Sequence, residues 1–401
     1  MARFVFLSHL DNNLYRFRLP IMKALVDRRH TVFAACPHGD VSPRFASHRI
    51  IHLAYPLVRE GMNPLREAGS MLALVRLLKR TRPDILHTFT IKPNVYGSLA
   101  GRLAQVPAIV NSVTGLGTFH VETPRGVRQW GSRYFLNVLY RLSLHRSKAV
   151  IFQNDDDHAF FMKGDLVREG QTVIIRGSGV DTAIFRPPLT ASERAAARER
   201  IPGLQDKVVI CLVSRLIQDK GVAEYLEAAR ILCRIHGSGL RFLLVGDYDD
   251  GNPKPLSRTF LNEYIAEGTI TYLGFRDDIQ ELLRAVDIYC LPSYREGMPM
   301  SILEAMATGL PIVTSDAVGC RDTVEDGING LKVPVKDIRR LCQALDIMIQ
   351  DRELRIAMGR KSREKAERIF SLEIVLKEHM ELYDALGKHV IAQPPVGVET
   401  V

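Results

Sequence analysis

Short apolar runs that alternate with helical patterns are the feature that most constrains the fold of this chain. Runs rich in Val, Ile, Leu and Phe recur through its first part, and each is followed by a segment with helical periodicity. These runs are residues 3–8, 30–36, 84–88, 108–113, 148–154 and 172–176. Continuous apolar strands joined through helices are typical of parallel sheets that are buried on both faces. The pattern therefore predicts an α/β protein built from βα units.

The alternation stops once and then restarts. Residues 185–207 form a polar stretch that is punctuated by prolines. The strand-like runs resume at residues 208–214, 241–246, 270–274, 288–293 and 311–316. The interruption predicts two doubly wound, Rossmann-like domains, residues 1–186 and 187–387, that face each other across a ligand crevice. The last helical residues, 335–387, end the second domain or cross back to the first, and residues 388–401 are expected to be a disordered tail.

The cysteines and the hydropathy of the chain predict its compartment. Six cysteines are scattered mostly through apolar runs without a CxxC pair: Cys36, Cys211, Cys233, Cys290, Cys320 and Cys342. This pattern indicates free thiols in a reducing compartment rather than a disulfide framework or a zinc site. The first apolar run is too short for the core of a signal peptide, and no run approaches the roughly 18 residues of a spanning helix. We therefore expect a cytoplasmic protein that is soluble or peripheral to a membrane.

The basic charge of the chain is concentrated in one half. Residues 1–186 contain 26 Lys and Arg against 13 Asp and Glu, whereas residues 187–401 contain 28 against 32. A basic half indicates an anionic partner, which could be a nucleic acid, an acidic membrane surface or a phosphorylated acceptor.

Two glutamates flank a proline in YREGMPMSILEAMATGLPIVTSD, residues 294–316. Pro299 suits the first turn of a helix that closes near Gly309. Glu304 then lies inside this helix and Glu296 on the preceding loop. The five residues from Pro299 to Glu304 span roughly 7–8 Å, so the carboxylates are too far apart for a retaining glycosidase pair. They suit a ligand with hydroxyls at each end and an anion between, such as a nucleotide sugar, although glutamates at this spacing also fit a solvated helix face.

A second motif follows the strand-like run at residues 208–214. In SRLIQDKG, Arg215 and Lys220 lie on a strand-to-helix turn, and Gly221 opens the helix. Two cations beside a helix N-terminus suit a pyrophosphate, although charges at loop ends are common on any protein surface. The glutamates of residues 294–316 follow another predicted strand of the same domain. The cations and the carboxylates are therefore expected at the same crevice.

Together these segments resemble those of family 4 retaining glycosyltransferases, which have the GT-B fold. The resemblance rests on SRLIQDKG, YLGFRDDIQELLRAVDIYCLPSYREGMPMSILEAMATGLPIVTSD, GCRDTVEDGINGLKVP and GSGVDTAIFRP, and it extends over essentially the whole chain. It implies transfer of a sugar from a nucleotide sugar with retention of configuration. In this family the departing nucleoside diphosphate leaves an oxocarbenium-like sugar, and the acceptor attacks from the face that the diphosphate vacates.

The resemblance implies roles for residues of the second domain. Arg215 and Lys220 would neutralise the leaving diphosphate, and Glu296 would contact hydroxyls of the transferred sugar. Glu304 would hold the ribose hydroxyls. The other expected donor-binding residues are Ser214, Phe275 near the base, and Gly297, Met298, Pro299 and Met300, whose backbone would approach the sugar and the phosphates.

Neither a metal nor a dinucleotide cofactor is expected. The family's GT-B enzymes require no metal, and Asp155, Asp156 and Asp157 in QNDDDHAFF are interpreted as a capped helix start rather than a metal site. The loop after the first strand lacks GxGxxG, which disfavours a dinucleotide-dependent oxidoreductase. A GT-B-type nucleotide-sugar epimerase stays open as an alternative because it would share the two-domain crevice.

The basic first domain is expected to bind the acceptor. His9, Asn12 and Asn13 lie on the polar loop after the first strand and are candidate acceptor ligands. Lys92 precedes Pro93 at a helix start, where it either contacts an acceptor phosphate or is simply solvated. His120 lies in the Gly-rich loop GLGTFH, and many relatives have a donor-contacting histidine near this point. A packed loop histidine is the alternative.

One segment of this domain combines cations with aromatic residues. Residues 125–148, RGVRQWGSRYFLNVLYRLSLHRSK, fit a basic helix at an anionic membrane surface, and residues 64–83 are a second candidate. An ordinary helix that packs its aromatic side chains inward is the alternative. A nucleic-acid partner is not expected, because it leaves the two glutamates and the paired cations without a role.

The resemblance extends to a subgroup. The motifs are most like those of transferases that extend polyprenyl-diphosphate-linked sugars, including one that adds α-1,3-linked N-acetylgalactosamine to undecaprenyl-diphosphate diacetylbacillosamine. This implies a UDP-sugar donor, with UDP-GalNAc as first candidate and UDP-glucose, UDP-GlcNAc and GDP-mannose as alternatives. The acceptor would be a polyprenyl-diphosphate-linked saccharide at the inner face of a bacterial membrane, in N-glycan, O-antigen or capsule assembly.

Overall fold

The chain forms two units in the computed structural model, which describes residues 1–57, 64–116 and 127–391. The first unit contains residues Met1–Ser178 and the chain from Val375 onward, and the second contains Gly179–Ile374. The division therefore lies before the predicted position between residues 186 and 187, and the last helix belongs mainly to the first unit. Each unit is an α/β sandwich, as the alternating pattern predicted.

The first unit is built on a seven-stranded parallel sheet with the order β3-β2-β1-β4-β5-β6-β7. Its strands are β1 Arg3–Leu7, β2 Thr31–Ala35, β3 Ile51–Leu53, β4 Ile85–Phe89, β5 Ala108–Val113, β6 Ala149–Phe152 and β7 Thr172–Ile174. Phe4 and Phe6 of β1 pack into one apolar core, whereas Val5 and Leu7 pack into another. Side chains of a strand alternate between the faces of its sheet, so both faces of β1 are buried.

Helices follow almost every strand of the first unit. They are α1 Asp11–Phe17, α2 Leu19–Asp27, α3 Pro64–Thr81, α4 Ile91–Leu103, α5 Val127–Leu144 and α6 Asp155–Lys163. A 3₁₀ helix at Ser42–His48 leads into β3. Helix α3 contacts α4, and α4 contacts α5, so these three helices lie side by side.

The second unit has a six-stranded parallel sheet with the order β10-β9-β8-β11-β12-β13. Its strands are β8 Val208–Val213, β9 Leu240–Val245, β10 Ile270–Tyr272, β11 Ile288–Leu291, β12 Ile312–Ser315 and β13 Gly330–Val333. The helices are α7 Ala191–Glu199, α8 Val222–His236, α9 Arg258–Ala266, α10 Ile279–Arg284, α11 Met300–Ala307, α12 Ile338–Gln350 and α13 Arg352–Lys365. The carboxyl ends of neighbouring parallel strands lie at one edge of the sheet, which is where such folds bind ligands.

The final helix, α14, is Leu372–Ile391, and from Val375 it belongs to the first unit. Val375, Met380 and Tyr383 pack into the same core as Phe4 and Phe6. The helix thus covers residues 388–391, which were predicted to be part of a disordered tail. The rest of that tail, residues 392–401, lies outside the described residues.

The sequence patterns located most strands but missed two. Every predicted strand is present with an end shifted by at most a few residues. The missed strands are β3, which has three residues, and β13, GLKV, which has four. Runs this short carry too few apolar residues to stand out from loops. All six cysteines are free, as predicted.

The polar stretch 185–207 contains helix α7 and belongs to the second unit. Within it, α7 is held by Asp287, which accepts hydrogen bonds from Arg194 and Arg198 at 2.5 Å each and from the Val209 amide at 2.8 Å. Ala197, Ile201 and Leu204 of the same stretch are buried in the core of the second unit. These contacts place the stretch in the core of the second unit, the domain to which the sequence argument assigned residues from 187 onward.

Replacing Asp287 with alanine should destabilise the second unit. The change leaves two guanidinium groups without their carboxylate and one strand amide without an acceptor, and we expect a loss of about 3 kcal/mol. Urea unfolding followed by circular dichroism measures it. Asp27→Ala is the control, because Asp27 makes an exposed ion pair with Arg49 and its loss should cost less than about 1 kcal/mol. Equal losses for the two variants would contradict the assigned role.

Candidate active site of the second unit

The turn after β8 approaches the loop after β11 very closely. Gln218–Lys220 form one 3₁₀ turn, and Gly221 has a φ of 69° before α8 begins. A Cβ atom on Gly221 would lie 2.0 Å from the carbonyl oxygen of Pro292. A glycine is therefore required both by the left-handed backbone and by the space available.

Two hydrogen bonds to one carbonyl oxygen fix this approach. The amide of Tyr294 donates to the Asp219 carbonyl at 2.9 Å, and the hydroxyl of Ser293 donates to the same oxygen at 3.0 Å. The position of residue 220 is thereby tied to the loop that carries residue 296. This arrangement brings two residues predicted from separate motifs into contact.

The contact is an ion pair between the Lys220 ammonium and the Glu296 carboxylate. The two side chains are 18% and 11% exposed, so the pair is largely withdrawn from water. The backbone of Glu296 is held as well, because its amide donates to the Val318 carbonyl at 2.9 Å. The structure thus confirms that Lys220 and Glu296 lie together, as expected from the sequence.

A second glycine lies behind Glu296. Gly319 has a φ of 77°, and a Cβ atom there would lie 2.5 Å from the Glu296 carbonyl oxygen and 2.6 Å from that of Gly297. The neighbouring Cys320 is fully buried, and burial raises the pKa of its thiol, with the charge of Glu296 adding to the shift. The segment after β12 therefore packs directly against the loop that carries the glutamate.

Helix α11 places Glu304 as predicted, but it begins later than expected. Pro299 is the N-cap residue, with an extended backbone, and the helix starts at Met300. At the other end, Gly309 donates to the Met306 carbonyl at 2.9 Å and Leu310 donates to that of Ala305 at 3.1 Å. These bonds and the positive φ of Gly309 form a Schellman motif, so the prediction that Gly309 closes the helix is confirmed.

Glu304 lies near the end of β8. The Tyr289 hydroxyl donates to the Val213 carbonyl at 3.1 Å. Burial raises the pKa of Tyr289 well above its ordinary value, and the charge of Glu304 contributes. Of the predicted backbone ligands, Gly297, Met298 and Pro299 are buried, whereas Met300 is half-buried.

Arg215 also has a carboxylate partner. Its guanidinium pairs with Asp249, a residue on the loop after β9. The arginine side chain is 53% exposed and the aspartate 13%. Asp249 was missed by the sequence argument because the acidic stretch DYDD has no spacing that distinguishes a fixed carboxylate from a solvated one.

The other donor-binding candidates lie at the same edge of the sheet. Ser214 directly follows β8, and its hydroxyl donates to the Arg215 carbonyl at 3.0 Å. Phe275 follows β10, and its side chain is about half exposed. Since β10, β9, β8 and β11 are consecutive in the sheet, the loops that carry these residues are neighbours.

Three acceptor-binding candidates lie at the corresponding edge of the first unit. The His9 ring nitrogen Nδ1 is 2.8 Å from the Thr90 hydroxyl, which connects the ends of β1 and β4. The Ser8 hydroxyl donates to the Asn13 side-chain oxygen at 3.2 Å, while Asn12 is exposed. These residues thus lie at the edge of the sheet where parallel strands end, which is where such folds bind ligands.

Lys92 is neither solvated nor free. It forms an ion pair with Glu67 at 2.9 Å, and the two side chains are only 21% and 16% exposed. Glu67 also bonds to Tyr96, and burial together with that bond raises the pKa of Tyr96 to about 12. The alternative of a solvated lysine is wrong, because the carboxylate of α3 holds the ammonium group.

The remaining candidates have separate outcomes. His120 lies outside the described residues. The capped helix start predicted within residues 153–161 is present, because the Asn154 side chain caps α6 by accepting from the Asp157 amide at 2.7 Å. Asp155 pairs with Arg176 at 2.8 Å. Within the described part of the chain, no group of three or more His, Cys, Asp and Glu side chains is arranged to hold a metal ion.

Comparison with protein families divides the chain in the same way as the structure. Residues 5–154 match the family described as glycosyl transferase 4-like, and residues 193–365 match glycosyl transferases group 1. The first match falls within the first unit and the second within the second unit. Every donor-site candidate named above lies inside the second match.

Curated relatives extend over almost the full chain. An N,N′-diacetylbacillosaminyl-diphospho-undecaprenol α-1,3-N-acetylgalactosaminyltransferase of Campylobacter jejuni is 32% identical over 97% of this chain and all of its own. A UDP-Gal:α-D-GlcNAc-diphosphoundecaprenol α-1,3-galactosyltransferase of Escherichia coli is 27% identical over 94% of this chain and 95% of its own. Other relatives include the capsular polysaccharide biosynthesis glycosyltransferase CapM of Staphylococcus aureus.

Solved structures share the fold. HepE of Anabaena, in complex with UDP-glucose, has a TM-score of 0.77 at 20% identity and covers 96% of this chain and all of its own. WaaG, a glycosyltransferase involved in lipopolysaccharide biosynthesis, has a TM-score of 0.72 at 18% identity over 95% of this chain and 99% of its own. The fold, the family matches and the relatives agree, and the chain therefore belongs to the family 4 glycosyltransferases and has their GT-B fold.

Proposed function

We propose that this glycosyltransferase moves a sugar, GalNAc in the first instance, from a UDP-sugar to a polyprenyl-diphosphate-linked saccharide with retention of configuration. The observation that carries the proposal is the ion pair of Lys220 with Glu296. Lys220 lies on the turn that also carries Arg215. This arrangement offers two cations for a diphosphate and one carboxylate for sugar hydroxyls. The product would enter bacterial glycan assembly, the setting of several of the relatives.

The proposed chemistry rests on charge that develops at the leaving diphosphate. As the bond between the anomeric carbon and the diphosphate oxygen breaks, its electron pair moves to the diphosphate. Arg215 and Lys220 stabilise that charge, and the fixed backbone of the turn means that little reorganisation is needed. The acceptor hydroxyl then bonds to the anomeric carbon from the same face and passes its proton to the departing diphosphate. This sequence needs no metal.

The carboxylates are proposed to position the donor. Glu296 accepts hydrogen bonds from the transferred sugar while it keeps Lys220 in place. Glu304 accepts from the ribose hydroxyls, and Phe275 stacks on the base. Ser214 and the backbone of residues 297–300 complete the donor site.

The relatives support the choice of donor and acceptor. Those from Campylobacter jejuni and Escherichia coli both act, by their names, on undecaprenyl-diphosphate-linked sugars and both form α-1,3 linkages. They differ in the sugar, which is N-acetylgalactosamine in one and galactose in the other. We favour GalNAc because that relative has the higher identity, and UDP because HepE binds UDP-glucose. His9, Asn12, Asn13 and Lys92 are proposed to face the acceptor.

An epimerase remains the second candidate. Enzymes of that class would use the same cations and carboxylates on a nucleotide sugar without an acceptor. The glycosyltransferase relatives argue against it, and acceptor dependence separates the two reactions.

The donor and acceptor can be identified by nucleoside diphosphate release. We expect release from UDP-GalNAc that depends on a polyprenyl-diphosphate-linked monosaccharide, and slower release from UDP-glucose, UDP-GlcNAc and GDP-mannose. A preference for another donor would keep the reaction class but reject the assignment of GalNAc. Turnover of the nucleotide sugar without any acceptor would instead favour the epimerase.

Lys220→Ala and Glu296→Gln should each lower kcat/KM for transfer by about 10²–10³, because each removes a group that contacts charge or hydroxyls in the transition state. Steady-state UDP release measures the loss, and circular dichroism checks the fold. Lys361→Ala and Glu364→Gln are matched controls, since these residues form an exposed pair on α13 and should leave activity unchanged. Unimpaired transfer by either site variant would overturn the site.

Membrane attachment is proposed for the face formed by α3, α4 and α5. Large apolar side chains are exposed on all three helices: Leu72, Leu103, Tyr134, Phe135 and Leu142. On α3, Leu72 shares one stripe with the exposed cations Arg76, Lys79 and Arg80. Apolar groups beside cations suit the boundary of an anionic bilayer. The alternative, a helix that packs its aromatic side chains inward, holds for Tyr140, which is buried. The Trp130 side chain lies outside the described residues.

The described helices also limit the kind of membrane contact. Within the described residues, no helix has the length and apolar character needed to cross a bilayer. Attachment through the α3–α5 face would therefore be by helices lying on the membrane surface.

Replacing Tyr134 and Phe135 with serine should weaken binding to vesicles that contain phosphatidylglycerol by about ten-fold or more, since each ring buries apolar area. Co-sedimentation measures the binding. Transfer to a short, water-soluble acceptor should be unchanged. The control replaces Ile235 and Ile347, two exposed isoleucines of the second unit, with serine. If vesicle binding and soluble turnover fall together, or if the control loses binding equally, the face is not a membrane surface.

A further inference from the structure

The loop after β9 runs along the turn that carries Arg215 and Lys220. We define residues 247–256, DYDDGNPKPL, as the acidic-proline segment. The Leu216 amide donates to the Asp247 carbonyl at 2.9 Å, and the Gln218 amide donates to that of Lys254 at 3.0 Å. In return, the Leu256 amide donates to the Leu216 carbonyl at 3.0 Å. The segment and the turn therefore form one hydrogen-bonded unit.

Side chains of opposite charge reinforce this backbone pairing. Asp249 of the segment pairs with Arg215 of the turn. Lys254 of the segment pairs with Asp219 of the turn at 3.3 Å. Asp219 is buried and directly precedes Lys220. Each end of the turn is thus held by a charge that the acidic-proline segment supplies.

The exposed fractions of the two side chains show which partner of the Arg215–Asp249 pair is fixed. Asp249 is 13% exposed, whereas Arg215 is 53% exposed. A long arginine side chain that is half in water loses rotamer entropy when a ligand holds it in one place. A largely buried carboxylate that already restrains the guanidinium reduces that cost. The five donors of the guanidinium leave others available to a phosphate.

From this geometry we infer that Asp249 is a positioning residue for diphosphate departure, acting through Arg215. The inference rests on the proposed function of the second unit. Asp249 touches neither donor nor acceptor in this role. It orients a cation that would otherwise sample several rotamers when the charge on the diphosphate develops.

A double-mutant cycle tests the inference. Asp249→Ala should lower kcat for transfer about ten-fold while the KM for the UDP-sugar changes less than about three-fold, because orientation matters most when charge develops. In the Arg215→Ala background, Asp249→Ala should have almost no further effect. Asp249→Asn keeps an acceptor oxygen and should recover part of the lost kcat. Asp250→Ala is the matched control, because Asp250 is an exposed neighbour that pairs with Arg258.

Three outcomes would overturn the inference. Additive effects of the two substitutions would show that Asp249 acts independently of Arg215. Tighter binding of UDP by Asp249→Ala with undiminished kcat would show that the Asp249 carboxylate competes with the diphosphate for Arg215 instead of positioning the guanidinium. An equal loss in Asp250→Ala would indicate a general effect on the segment. If the wild-type protein transfers no sugar, the proposed function itself is refuted. That result is distinct from the three outcomes above, which require an active wild-type enzyme.

Discussion

The site depends on the close approach of two loops at Gly221 and Pro292. Without a Cβ on Gly221, the turn after β8 comes near enough for the Asp219 carbonyl to accept two hydrogen bonds from the loop after β11. A side chain at position 221 would push the loops apart and separate Lys220 from Glu296. Lys220 and Glu296, which are 76 positions apart in sequence, are thus brought together by backbone packing. Their ion pair then stabilises a geometry that the backbone has already set.

Charge compensation is the second constraint. Arg215 and Lys220 lie close in sequence, and two cations repel unless each has a carboxylate nearby. Asp249 and Glu296 provide those carboxylates from the loops after β9 and β11. At the proposed donor site, an arriving diphosphate would meet cations that the carboxylates already hold, and its charge would act on both ion pairs. If the proposed site binds a nucleotide diphosphate, its affinity would reflect both the preorganisation of the cations and their existing pairing with the carboxylates.

The sequence predicted the parallel sheets, the turn that carries Arg215 and Lys220, and the glutamates Glu296 and Glu304. Each of these features produces a local pattern, either periodicity or spacing. The sequence did not predict Asp249, Gly319 or the pairing of Lys92 with Glu67, because these contacts join segments whose approach depends on the whole fold. The division between the units, at residues 178 and 179, also depends on the whole fold. The charged residues of α7 resemble those of a linker until Asp287 is seen to hold two of its arginines.

The basic surplus of the first unit has more than one explanation. Arg18 is buried, its guanidinium lies 4.6 Å from the centre of the Phe89 ring, and it donates to Ser178 at 2.9 Å. Burial lowers its pKa to about 10. Lys92 is neutralised by Glu67. The charge of Lys92 is offset within the unit, and the buried Arg18 guanidinium cannot contact an anion at the surface, so net charge alone overstates the attraction of this unit for anions. The exposed cations of α3 are different, since they lie beside Leu72 on one stripe. A combination of charge and apolar area, rather than charge alone, distinguishes a membrane surface from the rest of a basic domain.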